Sequence, residues 1–389
     1  MPLSLRIMNK GLVALACGGL AIGMTEFTMM GILQDIANDQ QIEITKAAHF
    51  IALYALGVVV GAPVLTLLTS KYPPKNVLLF LMILFLVFNG LFAIAPQFNS
   101  LAITRFMSGL PHGAFFGVGS VAAAQLAKKG KEAQAIAFMF TGMTIANLAG
   151  VPLGTYIGQH YSWRITYGII ALLGLVTFFA LYFWLPNLSS TTSGKITRQL
   201  SYFKQLKAWV IIAVISIGTG GLFAWISYIS PMVTMVGNLP EKHIPMIMTL
   251  VGLGMFFGNI LGGKLADTIS PTKASILSFS SMAVTLTVVF FTAHISEMAY
   301  IMAFVTGLVA FTSGSPLQMM LINSAKGSET IAAAAGQASF NIGNTLGAYL
   351  GGIPITFGFA YNSPLLIGVG MAMIGAGLAL VYLTKFKNK

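Results

Sequence analysis

Nine residues of this chain are acidic, and eight of them fall in polar connectors or at the ends of apolar runs. The ninth, Glu26, lies well inside the first run, in GlyMetThrGluPheThr. An ionisable side chain at the centre of a bilayer costs roughly 2.5–3.5 kcal/mol, so where one persists it usually lines a cavity and marks a proton or substrate path. Glu26 is therefore the candidate proton-coupling group, with a permanently ionised structural partner as the plainer reading. Arg105, in LeuAlaIleThrArgPheMetSerGlyLeu, is the cation inside a run. Counting about 1.5 Å per helical residue from the outer ends puts it within about 5 Å in depth of Glu26. An arginine stays charged when buried, so it would hold the carboxylate, tune it, contact an acceptor-rich solute, or orient its helix on interfacial carbonyls. His112, six or seven residues deeper in the same run, would relay protons or serve as a neutral hydrogen-bonding residue between helices. The remaining histidines, at 49, 160, 243 and 294, are scattered at outer ends and loops, so no metal cluster is expected.

A second set of candidates is uncharged. Asn147 and Asn344 occupy equivalent places, in AsnLeuAlaGlyValProLeuGly and AsnThrLeuGlyAlaTyrLeuGly. Amides offer donors and acceptors without charge, which suits a polar neutral solute as well as it suits interhelical packing. Phe115, Phe116, Trp225 and Tyr228 would either stack on a substrate ring or pack between helices. None of these residues forms a set of nucleophile, base and metal ligands at one depth, so an enzyme is not expected.

The elements that must position these residues are membrane helices. The chain is 56% hydrophobic and 8% charged, about a third of the charge that a soluble protein of 389 residues would carry. Twelve apolar runs have spanning length: roughly 11–33, 47–68, 76–95, 100–124, 134–157, 164–185, 208–235, 244–262, 273–293, 297–320, 332–356 and 363–384. They are continuous rather than alternating, which excludes a β-barrel. Cys17 is the single cysteine, so no disulfide within the chain is possible. The net charge of +12 is explained by topology. With both termini cytoplasmic, seventeen of the 21 Lys and Arg fall on that side, Lys46, Arg164 and Lys242 fall outside, and Arg105 lies within a span. Basic loops of this kind meet anionic lipid headgroups, and nucleic-acid binding is not expected.

Shifting the chain by 197 residues superposes Gly57 and Gly61 on Gly254 and Gly258, and Asn147, Gly150 and Gly154 on Asn344, Gly347 and Gly351. Lys129, Gly130, Glu132 and Ala135 fall on Lys326, Gly327, Glu329 and Ala332 without a gap. The chain reads as a duplication, with halves 1–186 and 208–389 joined by a Ser/Thr-rich, basic cytoplasmic linker at 187–207. Gly150, Gly154, Gly347 and Gly351, at spacing four, would let the helix at 142–158 pack against its counterpart at 341–352, and Pro152 would add a bend.

These segments resemble the major facilitator superfamily over nearly the whole chain. GlyLysLeuAlaAsp at 263–267, followed by Lys273, is similar to the signature between the second and third helices of each bundle. The first copy keeps Lys71 and Lys75 but has Ser70 where the signature has Asp. In that family these residues form a cytoplasmic lock in the outward-facing state, so the resemblance implies gating roles for Lys71, Lys75 and Asp267. Arg105 with Gly109 matches the fourth-helix motif of proton-coupled members. The stretch 142–158 with SerTrpArg at 162–164 resembles the fifth-helix motif of twelve-span drug:proton antiporters, giving Gly150, Pro152 and Gly154 gating roles. More narrowly, ThrGluPhe at 25–27, the run 54–63, ProHisGlyAlaPhePheGlyValGly at 111–119 and the run 146–156 resemble the AraJ-type efflux transporters, associated with arabinose and related sugars.

The expectation is an all-α membrane protein of twelve spans in two six-helix bundles. It would be a proton-coupled carrier exporting small organic solutes, sugars or drug-like compounds, with the proton as coupling ion and no other cofactor. The alternative is a symporter or facilitator of the same fold that imports a small polar solute. It would lie as a monomer in a bacterial inner membrane.

Overall fold

The computed structural model describes residues 10–69, 71–128, 132–188, 201–325 and 329–386. The readings made at Ser70, at Lys129, Gly130, Lys326 and Gly327, and over most of the 187–207 linker lie outside the described residues. Among those residues every regular element is helical. Ten helices are long and apolar enough to cross a membrane. They are α1 Lys10–Gly31, α2 Ile44–Thr69, α3 Pro74–Ile94, α5 Ala135–His160, α6 Trp163–Trp184, α7 Leu206–Ile226, α8 Glu241–Ile269, α9 Pro271–Thr292, α10 Ser296–Ser324 and α12 Pro364–Phe386. Two more, α4 Phe98–Leu126 and α11 Glu329–Thr356, have 29 and 28 residues but carry more polar and small side chains. Helices are what such runs must form, because hydrocarbon offers no partner for an open backbone N–H or C=O. Large apolar side chains such as Ile103, Phe183, Val284 and Met373 are exposed around the outside, while Thr25, Asn89 and Arg105 are fully buried. The distribution is that of a protein solvated by lipid.

Glycine sets how the helices pair within each half. A Cβ at Gly57 would collide with the carbonyl of Phe106, and one at Gly61 with that of Leu110, so α2 lies backbone to backbone on α4. Gly254 and Gly258 stand in the same way against the carbonyls of Phe304 and Leu308, drawing α8 onto α10. Small residues at a contact let helices approach to this distance, which is where membrane helices gain their packing energy.

The halves meet along two other seams. Gly252 of α8 lies on the carbonyl of Asn147 in α5. On the other side of the molecule the Thr345 hydroxyl of α11 donates to the carbonyl of Ala52 in α2 (3.3 Å), and His49 stacks on Tyr349 with centroids 6.1 Å apart. This corrects the expectation that 142–158 packs on 341–352. Gly150 and Gly154 face Met24 and Thr28 of α1, and Gly347 and Gly351 face α7, so these glycines seal each half internally. A four-residue stripe defines a helix face but not the helix that it meets.

Two helices deviate locally. Residues Ala146–Gly150 form a π-helical turn just before Pro152, with the Val151 N–H reaching back to the Ala146 carbonyl. Proline supplies no N–H, and the wider turn redistributes the bonds that its absence disturbs. The apolar run 208–235 is not one helix: α7 ends at Ile226, a short turn follows at Ile229–Pro231, and Met232–Val236 is again π-helical. Tyr228 leaves helical geometry at the break, and its hydroxyl donates to the carbonyl of Ala348 in α11 (2.9 Å).

Candidate proton-coupling and substrate site

Glu26 stands on α1 and is 6% exposed. Among the described residues its carboxylate has no hydrogen bond and no ion pair. Arg105 of α4 lies near it, but its charge is committed to the residue before it: Nη1 donates to Thr25 Oγ1 (3.0 Å) and Nη2 to the Thr25 carbonyl (2.7 Å). The Thr25 hydroxyl in turn donates to Asn89 Oδ1, and the Asn89 amide donates to the carbonyl of Phe85 in α3 (2.8 Å). Three rings surround the guanidinium, Tyr54 at 4.3 Å from its centroid, Tyr167 at 5.3 Å and Phe92 at 5.6 Å. Ring faces attract a cation when water is excluded, which offsets part of the cost of burying Arg105 without an ion pair. The sequence reading placed these two charges at one depth, and the structure brings them together without pairing them. Arg105 Nε remains without a partner.

His112 joins the same group through Tyr54, whose hydroxyl lies 3.0 Å from His112 Nδ1, while Nε2 has no partner. Tyr54 thus presents its ring to Arg105 and its hydroxyl to His112. Glu26, Arg105, Tyr54 and His112 form one cluster inside the N-terminal half, carried by α1, α2 and α4. Thr25, Asn89, Tyr54 and Tyr167 were not among the sequence candidates. The one available signal was Asn89, a polar side chain far inside the apolar run 76–95.

The neutral candidates are distributed differently. Asn147 lies at the α5–α8 seam with its Oδ1 unpartnered, in a small apolar niche shared with Phe27, Val151, Ile226 and Met248. Asn344 is 1% exposed, and neither atom of its amide has a partner. The two amides do not hydrogen-bond to one another. Phe115 is buried with its ring against Gly18, and Phe116 stacks on Phe140 with centroids 4.8 Å apart. Trp225 lines a pocket with Ile229, Met232, Met298 and Met302, its indole N–H unpartnered. Tyr228 is held at the α7 break against Gly351 and Gly352. In this conformation Phe115 and Tyr228 do packing work.

At the end of the molecule carrying Lys71, Lys128, Lys264 and Lys273, Asp267 and Lys71 are exposed, and Lys75 lies over the Tyr182 ring at 5.7 Å. The ion pair present among the described residues is elsewhere, Arg164 to Asp39 (3.4 Å). It anchors the opposite end: Trp163 Nε1 also donates to Asp39 (3.1 Å), and Arg164 Nη1 to the carbonyls of Ala93 and Ala95. Although partial burial opposes its charge, Asp39 is held below the usual carboxylate range by bonds from Gln40 and Trp163 and by Arg164. At this same end the halves touch, with Thr234 donating to Gln34 across the seam (3.2 Å). Asp35 faces Glu241 there, and burial together with that second carboxylate pushes it up to about 6.

A two-seam bundle of membrane-spanning helices with buried charge inside one half suits a membrane carrier, and comparison with known proteins gives that class. Residues 15–337 match the Major Facilitator Superfamily, and the chain belongs to that family of transporters. It is 40% identical to AraJ of Escherichia coli (strain K12), which carries the name of a transporter, over 91% of this chain and 90% of that one. It is 35% identical to the "Inner membrane transport protein YdhP" of the same strain over 98% and 97% of the two chains. A "Probable sugar efflux transporter" of Pasteurella multocida (strain Pm70) is 27% identical over 96% and 92%. Among solved structures, a bacterial homolog of the human lysosomal transporter Spinster, inward-facing and unoccupied, superposes with a TM-score of 0.76 at 13% identity, covering 99% and 98% of the chains. A D-xylose-proton symporter superposes at 0.75 and 15% identity, over 98% and 99%. These two likenesses concern the fold. The protein is a multi-pass membrane transporter of small molecules, not an enzyme.

Proposed function

We propose that the transporter is a proton-driven exporter of small organic solutes, with the proton as coupling ion. It spans a bacterial inner membrane twelve times as a monomer, in two six-helix halves, 1–186 and 208–389, joined by the 187–207 linker, with both termini cytoplasmic. The basic loops orient it; in that orientation the end joined by the Thr234–Gln34 bond is the outer one, and with Lys71 and Asp267 exposed at the other end the conformation reads as inward-facing. The glycine pairs Gly57/Gly61 and Gly254/Gly258, meeting α4 and α10 alike, support the reading of a repeated half.

One observation carries the proposal: Glu26 is a buried carboxylate near a buried cation that, among the described residues, has no hydrogen bond and no ion pair. A group free to take up a proton, beside a cation that the protein already holds by other means, changes charge without dismantling the bundle. A proton entering from outside and a solute entering from inside compete for the states that close around them. The test is Glu26→Gln in inverted vesicles. Proton-driven solute uptake is expected to disappear while solute binding stays measurable and loses its pH dependence. Uptake equal to wild type removes Glu26 from the mechanism.

A further inference from the structure

Threonines in the helices of this chain commonly turn their hydroxyls onto a carbonyl one turn back, as Thr177 does to Leu173 (2.8 Å) and Thr219 to Ile215 (2.7 Å). The Thr25 hydroxyl instead crosses from α1 to α3 and donates to Asn89 Oδ1. Thr25, Asn89 and Arg105 are all fully buried. The Asn89 amide is fixed in turn, because Nδ2 donates to the Phe85 carbonyl (2.8 Å), a group that can only accept. Oδ1 must therefore face Thr25, and the one proton of the Thr25 hydroxyl must point at it.

The direction of these bonds decides what Arg105 meets. With its proton committed to Asn89, Thr25 Oγ1 presents lone pairs, and Arg105 Nη1 donates to them (3.0 Å) while Nη2 donates to the Thr25 carbonyl (2.7 Å). Both bonds tie the guanidinium to the residue before Glu26 rather than to the carboxylate. A carboxylate is the stronger acceptor for a guanidinium, through charge-assisted bonds, so the neutral pairing needs something that fixes it. The titratable and charged groups around Glu26 are Arg105 and His112 of α4, Tyr54 of α2 and Tyr167 of α6. Asn89 is the neutral group that α3 adds to them. Helix packing does not require this arrangement. In the C-terminal half Gly254 meets the Phe304 carbonyl as Gly57 meets that of Phe106, and Ala303 stands in the place of Arg105.

We infer that Asn89 is a positioning residue for proton uptake: it fixes the Thr25 hydroxyl as an acceptor, which ties Arg105 to Thr25 and leaves the Glu26 carboxyl unpaired. This rests on the reading of Glu26 as the proton-carrying group and assigns what keeps that group free. Without Asn89 the Thr25 hydroxyl turns to its own helix, as those of Thr177 and Thr219 do. Arg105 Nη1 then loses its acceptor, and the guanidinium closes on Glu26. A carboxylate in such a pair takes up a proton only by giving up the pair.

The test reads the Glu26 carboxyl directly, in the purified full chain in nanodiscs at one fixed, neutral pH. The probe is dicyclohexylcarbodiimide, which attacks protonated carboxyl groups in apolar surroundings, and mass spectrometry follows the label at Glu26. The initial labelling rate is expected to fall about tenfold or more in Asn89→Leu and in Thr25→Val. Thr25→Ser, which keeps the hydroxyl, should label within about twofold of wild type. Adding Arg105→Gln to Asn89→Leu should restore labelling, because no cation remains to pair with Glu26, whereas a loss caused by loosened packing would persist. Should Asn89→Leu fail to fold, the contrast of Thr25→Val with Thr25→Ser carries the same decision. The inference fails if folded Asn89→Leu or Thr25→Val labels within about twofold of wild type, if Arg105→Gln does not restore labelling, or if wild-type Glu26 takes no label. Labelling requires no transport, so this result stands apart from that of Glu26→Gln in inverted vesicles.

Discussion

Closure of the outer seam should depend on pH through Asp35. The short helix Leu33–Asp39 brings this carboxyl to the seam, where it meets Glu241 of the other half beside the Gln34–Thr234 bond. Burial and Glu241 raise Asp35 from 3.8 to about 6 in the closed conformation. With the seam open the group is hydrated and returns to its ordinary value, about 3.9. The closed state therefore holds the proton more tightly. Its advantage is complete below about pH 4, declines as the open form ionises, and is lost above about pH 6. Two pK units correspond to about 2.7 kcal/mol. Because Asp35 is partly solvated, about half of that is a better expectation, roughly a tenfold change in the open-to-closed ratio. Spin labels at His160→Cys and His294→Cys, exposed at the outer ends of opposite halves, in a Cys17→Ser background would read this ratio. The short-distance population should fall as pH rises from 4 to 7 in the parent, and Asp35→Asn should hold it high throughout. Identical pH profiles for the parent and Asp35→Asn would refute the reasoning.

Arg105→Lys should reduce transport about ten- to a hundredfold, nearly as much as Arg105→Ala, because a point charge cannot keep two bonds to Thr25 worth about 1.5–3 kcal/mol each; initial rates check this, and full activity in the lysine variant would leave only the charge important. Gly252→Ala should shift the equilibrium away from the closed outer seam by about 1–3 kcal/mol, since its Cβ meets the Asn147 carbonyl across the halves. Gly57→Ala, which meets Phe106 within one half, should lower the melting temperature instead. Asp267→Asn should increase the inward-facing population in crosslinking across the basic end, because Asp267 is exposed here and has no ion pair among the described residues to lose.

The helices and the charged centre were legible in the sequence for one reason. In hydrocarbon both an apolar run and an interior charge are costly to misplace, so Glu26 and Arg105 stood out from composition alone. What remained hidden depends on neighbours. Tyr54 and Tyr167 look like any aromatic in an apolar run until Arg105 is found between their rings, and Thr25 matters through its carbonyl as much as through its side chain. The spacing of Gly150, Gly154, Gly347 and Gly351 was read correctly as a packing face, yet the face meets α1 and α7. The break after Ile226 was missed because Ser227 and Tyr228 do not interrupt hydropathy, although Pro231 does mark the turn. Asn344 was legible as a duplicated amide, but the unpartnered Ser216 hydroxyl was not, because small polar residues in a membrane helix normally bond their own backbone.

Proton–solute exchange is the central claim, and the direct measurement is lumenal pH in proteoliposomes when solute alone is added outside. The vesicles start with equal pH on both sides and their membrane potential clamped by potassium and valinomycin. With a neutral pentose as solute and a pH dye enclosed, solute entering down its gradient should drive protons out, so the lumen should become alkaline, and Glu26→Gln should abolish the change. A lumen that acidifies would identify a symporter, and solute entry with no pH change a facilitator; either result contradicts the account.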